Sequence, residues 1–225
     1  MKIKNIIFDL GGVLLNLDKK LTVTALNKLG ARESNGDTLK DLILNFEMGT
    51  VSAKTVREKF QLATEMEASD KEFDAAWNAM LLDIPKEHFE LLNQLKSKYT
   101  LFLFSNTNEI HYQQLLKIYE RDQGSYDFHG FFKAVYYSHL LHLRKPDLAS
   151  YKEILRLNNL KPDETLFIDD SKANVDAAIW QGIHAIHLTV TTSLLNLPQL
   201  ILDMEKAKSD EIELSDLLAT YSLNK

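Results

Sequence analysis

The sequence predicts an α/β protein: a doubly wound parallel sheet core with a small helical cap inserted after the first strand. Three observations predict it. From Pro85 onward, short apolar runs bounded by polar or glycine-containing turns alternate with amphipathic helical patterns, the signature of successive strand–helix–strand units. Between the first apolar run and Pro85 the pattern is helical throughout. Several apolar runs end abruptly in a carboxylate or hydroxyl, a costly place for a polar group unless it is paired or used.

The first run is Ile6-Ile7-Phe8, which ends in Asp9 and is followed by Gly11 and Gly12. β-Branched and aromatic residues bounded by glycine read as a buried strand, and the glycines let the backbone turn sharply and approach a ligand or ion. Residues 38–46 then carry Leu39, Leu42, Ile43 and Phe46 at helical spacing. The turn 47–50 breaks this pattern. Ser52 is placed to cap a helix bearing Val56, Phe60 and Ala63, and Ser69, with Glu72 at capping-box distance, a helix bearing Phe73, Ala76, Trp77 and Met80. Helices without an intervening strand predict an insert over 19–85, leaving 1–18 and 86–225 as the α/β core.

In that core, 87–95 reads as a helix and 99–104 as a strand ending in Ser105-Asn106-Thr107-Asn108. Helix follows over 110–119, loop over 121–130 and strand over 131–137. A helix over 147–157 comes after Lys145-Pro146. Residues 165–168 form a short strand ending in Asp169-Asp170, which can themselves act as N-caps. A helix over 173–181 stops at Gly182, and 183–188 is the last strand. Right-handed crossovers then give a Rossmann-like sheet. The tail offers helical stretches around 194–204 and 214–223, expected to lie against the core.

Composition narrows the function. The 225 residues include 26 basic and 32 acidic ones, a net charge of −6, with no Lys/Arg cluster; a nucleic-acid partner is not expected. There is no cysteine, which excludes disulfides, thiolate catalysis and Cys-ligated metal centres. No apolar run reaches the roughly 18 residues of a membrane span, and nothing resembles a signal peptide. The expectation is a cytoplasmic protein without a membrane partner. The sequence gives no oligomeric state and is compatible with a monomer.

Ligands of open α/β sheets bind outside the carboxyl ends of the strands, so Asp9, Ser105, Lys145 and the Asp169–Asp170 pair are expected to converge. Their chemistry fits phosphoryl transfer. A carboxylate can attack phosphorus, clustered carboxylates supply hard oxygen ligands for Mg²⁺, and a lysine and a hydroxyl can hold phosphoryl oxygens. Taken singly, each residue has an ordinary structural role as a turn former, helix cap or solvated lysine.

In their order and wording these stretches resemble the haloacid dehalogenase-like superfamily, in its phosphatase branch. Phe8-Asp9-Leu10-Gly11-Gly12-Val13 is similar to its first motif, Ser105-Asn106-Thr107-Asn108 to the second and Arg144-Lys145-Pro146-Asp147 to the third. The fourth is matched by Phe167-Ile168-Asp169-Asp170-Ser171 with Asn174. The wording further resembles the bacterial α-D-glucose-1-phosphate phosphatase subgroup. The resemblance implies Asp9 as the nucleophile forming an aspartyl-phosphate. It implies Mg²⁺ held by Asp9, the Gly11 carbonyl and Asp170 with Asp169 nearby, and phosphate bound by Ser105, Asn106 and Lys145. Cap residues at the 47–50 turn, Glu47 among them, would select a small phosphorylated metabolite, a sugar phosphate first among candidates. One position departs: most such phosphatases carry a second aspartate, a general acid and base worth about 10²–10⁴ in rate, where this chain has Gly11. His111, three residues past Asn108, is a candidate replacement acid or substrate contact, with a packing role as its other reading. Two other functions fit the same motifs: a metal-independent 2-haloacid dehalogenase, against which the paired Asp169–Asp170 argues, and a weakly active or non-catalytic binding protein.

Overall fold

Each apolar run forms a strand where both of its faces are covered. The computed structural model describes residues 2–32, 36–124, 126–189 and 193–207. Strand β1 (Asn5–Phe8) lies at the centre of a five-stranded sheet with β2 (Thr100–Ser105) on one side and β4 (Thr165–Asp169) on the other; β3 (Ala134–Tyr137) and β5 (His184–His187) form the edges, in the order β3-β2-β1-β4-β5. Every pairing is parallel, with Phe8 level with Leu103 and Ile168. The chain order reverses around β1, so Asp9 leaves the sheet at the crevice where doubly wound proteins bind ligands. Continuous apolar strands are what a sheet buried on both faces requires, and Ile6, Phe8, Phe102, Leu103, Phe104, Leu166, Phe167 and Ile168 are all fully enclosed.

Four helices separate β1 from the rest of the core: α1 (Lys19–Lys28), α2 (Gly36–Glu47), α3 (Ala53–Thr64) and α4 (Asp70–Asn78). Their packing is local. Leu26, Leu42, Phe46, Val56, Phe60, Phe73 and Trp77 form a core of their own, touched from the sheet domain by Ile110. The expected caps are present. Ser52 Oγ accepts from Thr55 N–H, and Ser69 with Glu72 makes a complete capping box. Asp18 caps α1 by accepting from Lys20 N–H at 2.9 Å. The two connections between this insert and the sheet run side by side, with Leu17 bridged to Leu81 and Asn16 hydrogen-bonded to Asp83.

The remaining helices cover the sheet: α5 (Lys86–Lys96), α6 (Glu109–Asp122), α7 (Ser138–Leu141), α8 (Leu148–Asn158), α9 (Lys172–Trp180) and α10 (Leu197–Ala207). Three details differ from the sequence reading. The third strand starts at Ala134, after a 3₁₀ turn over His129–Phe131. The short α7 carries no periodic signal, being a single turn. The N-cap of α9 is Ser171 without a side-chain bond; the Asp169 carboxylate instead accepts from Ser171 N–H at 2.8 Å. The expected stretch over 214–223 lies outside the described residues. No helix among the described residues is long and apolar enough to cross a membrane.

Candidate active site

The carboxyl ends of β1, β2 and β4 bring Asp9, Ser105, Asp169 and Asp170 together, and the loop before α8 adds Lys145. Lys145 is 1% exposed and Asp169 is wholly buried. The Lys145 Nζ donates to Asp9 Oδ1 at 2.7 Å, to Asp169 Oδ2 at 2.7 Å and to the Phe104 carbonyl at 2.9 Å. An ammonium has three protons, so all are taken by the protein. Expected as a phosphate ligand, Lys145 here ties the two carboxylates together. Asn106 is likewise committed: its amide nitrogen donates to the Lys145 carbonyl at 2.8 Å and its oxygen accepts the Lys145 N–H at 2.9 Å. Ser105 Oγ reaches only the Asn106 carbonyl at 3.5 Å, a weak contact that leaves the hydroxyl available to a ligand.

Asp169 is fixed from three sides, by Lys145, by Ser171 N–H and by the Asn174 amide at 2.9 Å. Asp170 is solvent-facing, and His187 donates to its backbone carbonyl at 3.0 Å. Ligand oxygens of Asp9, Asp169 and Asp170 lie within 4.8 Å of one another. The Asp9 carboxyl is raised from 3.8 to about 7: burial pushes it up most, Lys145 opposes this, and Asp169 adds to the rise. Asp170 is also raised, by the partial desolvation of its inner side and then by Asp169. Burial alone would lower Lys145, but Asp9 and Asp169 outweigh it and leave the ammonium raised. The cluster is therefore short of positive charge by its own chemistry. A hard divalent cation among these oxygens fits both the donor set and that deficit.

Two glycines shape the rim. Gly12 has φ +79°, and a Cβ there would sit 2.5 Å from Asp170 Oδ2. Its absence is what lets Asp170 approach. Gly12→Ala is expected to cost about 1–2 kcal/mol for the left-handed backbone. It is also expected to raise the Mg²⁺ concentration for half-maximal activity, because Asp170 is displaced. A thermal melt and a Mg²⁺ titration measure the two effects. At Gly11 a Cβ would meet Leu17 Cδ1 at 2.7 Å. Leu17 thus fills the space a side chain at this position would use.

Above these groups lies a cleft of about 670 Å³ between the sheet edge and the four-helix insert, lined by Asp9, Gly11, Ser105, Lys145, Glu47 and His111 among others. Glu47 does reach the site, by accepting from Arg144 Nε at 3.1 Å and Nη2 at 2.9 Å. The turn after it is seated on α7: His142 Nδ1 donates to the Met48 carbonyl at 2.9 Å, and a Cβ at Gly49 would collide with the His139 carbonyl. His111 lines the cleft and also packs on Trp77 of the insert's core, so both of its expected readings find a contact. Trp77 belongs to the insert's core as expected, yet it and Met80 also face this cleft. Sequence reasoning missed Ser138, which bridges Thr107 through its backbone N–H and carbonyl at 2.9 and 3.0 Å, and the role of Leu17. Neither carries a local signal, since both act through residues distant in the chain.

Known proteins resemble this chain over most of its length. Residues 6–188 match the family model described as haloacid dehalogenase-like hydrolase. The chain is 27% identical over 179 residues to D-ribitol-5-phosphate phosphatase of Bacteroides thetaiotaomicron, covering 77% of this chain and 85% of that protein. It is 28% identical over 204 residues to the sesquiterpene phosphatase astK of Aspergillus oryzae, covering 88% and 96%. Among solved structures, a HAD family enzyme of Bacteroides thetaiotaomicron superposes with a TM-score of 0.79 at 31% identity, covering 88% of this chain and 98% of that one. The same enzyme in complex with magnesium and inorganic phosphate gives 0.75, again at 31% identity, covering 85% and 96%.

Proposed function

The chain belongs to the haloacid dehalogenase-like hydrolase family, and from that premise we propose that it is a Mg²⁺-dependent phosphatase of a small phosphorylated metabolite, acting through an aspartyl-phosphate. The observation that carries the reading is the carboxylate cluster of Asp9, Asp169 and Asp170 around one buried ammonium at the sheet's carboxyl edge. Asp9, Asp170 and the Gly11 carbonyl would hold the ion, with Asp169 beside them. A divalent cation supplies charge that offsets the repulsion between the anionic ester and the nucleophile.

In the first step an Asp9 carboxylate oxygen bonds to phosphorus, and the ester P–O bond breaks with its electron pair on the leaving oxygen. In the second, water bonds to phosphorus and the Asp9 P–O bond breaks, which frees inorganic phosphate and the carboxylate. Lys145 aims Asp9 through its 2.7 Å contact and favours the ionised form against the effect of burial. The Ser105 hydroxyl stands ready to donate to a phosphoryl oxygen. Residues 19–85 act as a cap that closes over the ester, latched by Arg144 and Glu47. Phosphatase relatives and a magnesium–phosphate complex of a similar enzyme support this reading. A sugar or polyol phosphate is the proposed substrate class, which includes the glucose 1-phosphate suggested by the motif wording.

The test is phosphate release from a panel of phosphate esters. Wild-type protein with Mg²⁺ is expected to release phosphate, and EDTA to abolish release reversibly. A 2-haloacid dehalogenase would instead release halide in EDTA.

A further inference from the structure

We propose that His111 reads a hydroxyl on the non-phosphate half of the substrate, accepting its hydrogen bond at Nε2. The inference rests on the phosphatase reading and assigns a specificity contact within that site. His111 stands on the first turn of α6, where Asn108 Oδ1 accepts its backbone N–H at 3.0 Å. Its Nδ1 lies 2.9 Å from Asn78 Oδ1 on the insert. A carbonyl oxygen only accepts, so Nδ1 carries the proton and Nε2 the lone pair. Nε2 has no hydrogen-bond partner among the described residues, yet it is not one of the enclosed orphan atoms. The ring itself lines the cleft that holds Asp9 and Ser105. His111 thus brings an unpaired acceptor to the wall of the cleft that also holds Asp9.

Burial pushes the imidazole down to about 4. At neutral pH roughly one ring in a thousand is then protonated, which makes His111 a poor proton donor and a steady acceptor. Trp77 stacks on the ring at 5.9 Å and 25° between planes, which fixes its orientation. The Trp77 indole N–H is buried without an acceptor among the described residues, and Trp77 lines the same cleft. A lone acceptor on the cleft wall matches a group that gives a hydrogen bond, which a hydroxyl does. Two neighbouring polar groups already have protein partners. Thr22 Oγ1 donates to the Trp77 carbonyl and accepts from Met80 N–H, while Glu47 Oε2 holds Arg144.

The experiment compares esters of equal length with and without hydroxyls: glycerol 3-phosphate against propyl phosphate, and xylitol 5-phosphate against pentyl phosphate, all with Mg²⁺. Wild-type protein is expected to favour at least one hydroxylated member in kcat/KM by roughly tenfold. His111→Phe, which keeps the stacked ring, is expected to bring that ratio near one. His111→Gln, which returns an acceptor oxygen, is expected to restore part of it. The ratio is the readout, so a general loss of folding or of catalysis does not imitate the result. An absent preference in the wild type, or a ratio unchanged in His111→Phe, overturns the proposal. No release from any ester by the wild type overturns the phosphatase reading instead.

Discussion

Asp9→Asn protein is expected to release phosphate at least about 10⁴-fold more slowly than wild type, as other hydrolases do when the nucleophile is removed. Asparagine keeps the size and polarity of the side chain but is no nucleophile toward phosphorus. In the variant Lys145 keeps Asp169 as its counter-ion at 2.7 Å. Stability gives a second readout with a definite sign. In chelator, the Asp9 carboxyl sits near 7 in the folded protein against 3.8 ordinarily. Between those values the folded state keeps a proton that the unfolded state has lost. Wild-type stability therefore falls as pH rises from about 4 to about 7 through this group, and levels off above it. The variant lacks that slope. Urea denaturation of both proteins at pH 5 and pH 8 measures it: the variant should gain on the wild type at pH 8. Equal differences at the two pH values would refute the assignment. Mg²⁺ should stabilise the wild type more at pH 8 than at pH 5, since a ligand carboxylate must be ionised to bind it.

Lys145→Met is expected to be the most destabilising single change at the site. Its ammonium is 1% exposed and meets Asp9 and Asp169 at 2.7 Å each. Removing one partner from a buried ion pair costs about 3–5 kcal/mol, because the charge left behind is neither paired nor solvated. Here two carboxylates are left facing one another, and the Phe104 carbonyl loses its donor as well. Methionine fills a similar volume, so the loss reflects charge rather than a cavity. Mg²⁺ is expected to recover part of the lost stability by standing in as the cation, with a larger thermal shift on Mg²⁺ addition than wild type shows. Activity should stay low with metal present, since Asp9 is no longer held in place. A variant as stable as wild type in EDTA would show that the trio is not a charge-balanced unit.

Much of this architecture was legible in the chain. Ile6-Ile7-Phe8, 99–104 and 165–168 read as strands because strands covered on both faces must be apolar along their whole length. The capping box at Ser69 and Glu72 and the cap at Ser52 were visible because capping depends on residues three positions apart. The carboxylates were visible because a charge at the end of a buried strand calls for an explanation. The one-turn α7 was not, since a single turn has no period to detect. The orientation of Asn106 and Lys145 was also hidden. Both were expected to bind phosphate; the Asn106 side-chain amide and the Lys145 ammonium also bond protein partners distant in sequence.

By itself the sequence determined the doubly wound sheet, the helical insert, and which carboxylates, hydroxyl and lysine would meet at its carboxyl edge. These follow from local periodicity and from the rule that places strand ends together. Only the tertiary structure decided how the groups divide their hydrogen bonds. Lys145 has three protons and three buried acceptors, so it serves the carboxylates. Leu17 occupies the space beside Gly11. His111 is fixed by Asn78 from the insert and lines the cleft. Those outcomes depend on burial and on contacts between residues far apart in the chain, which a linear pattern does not encode.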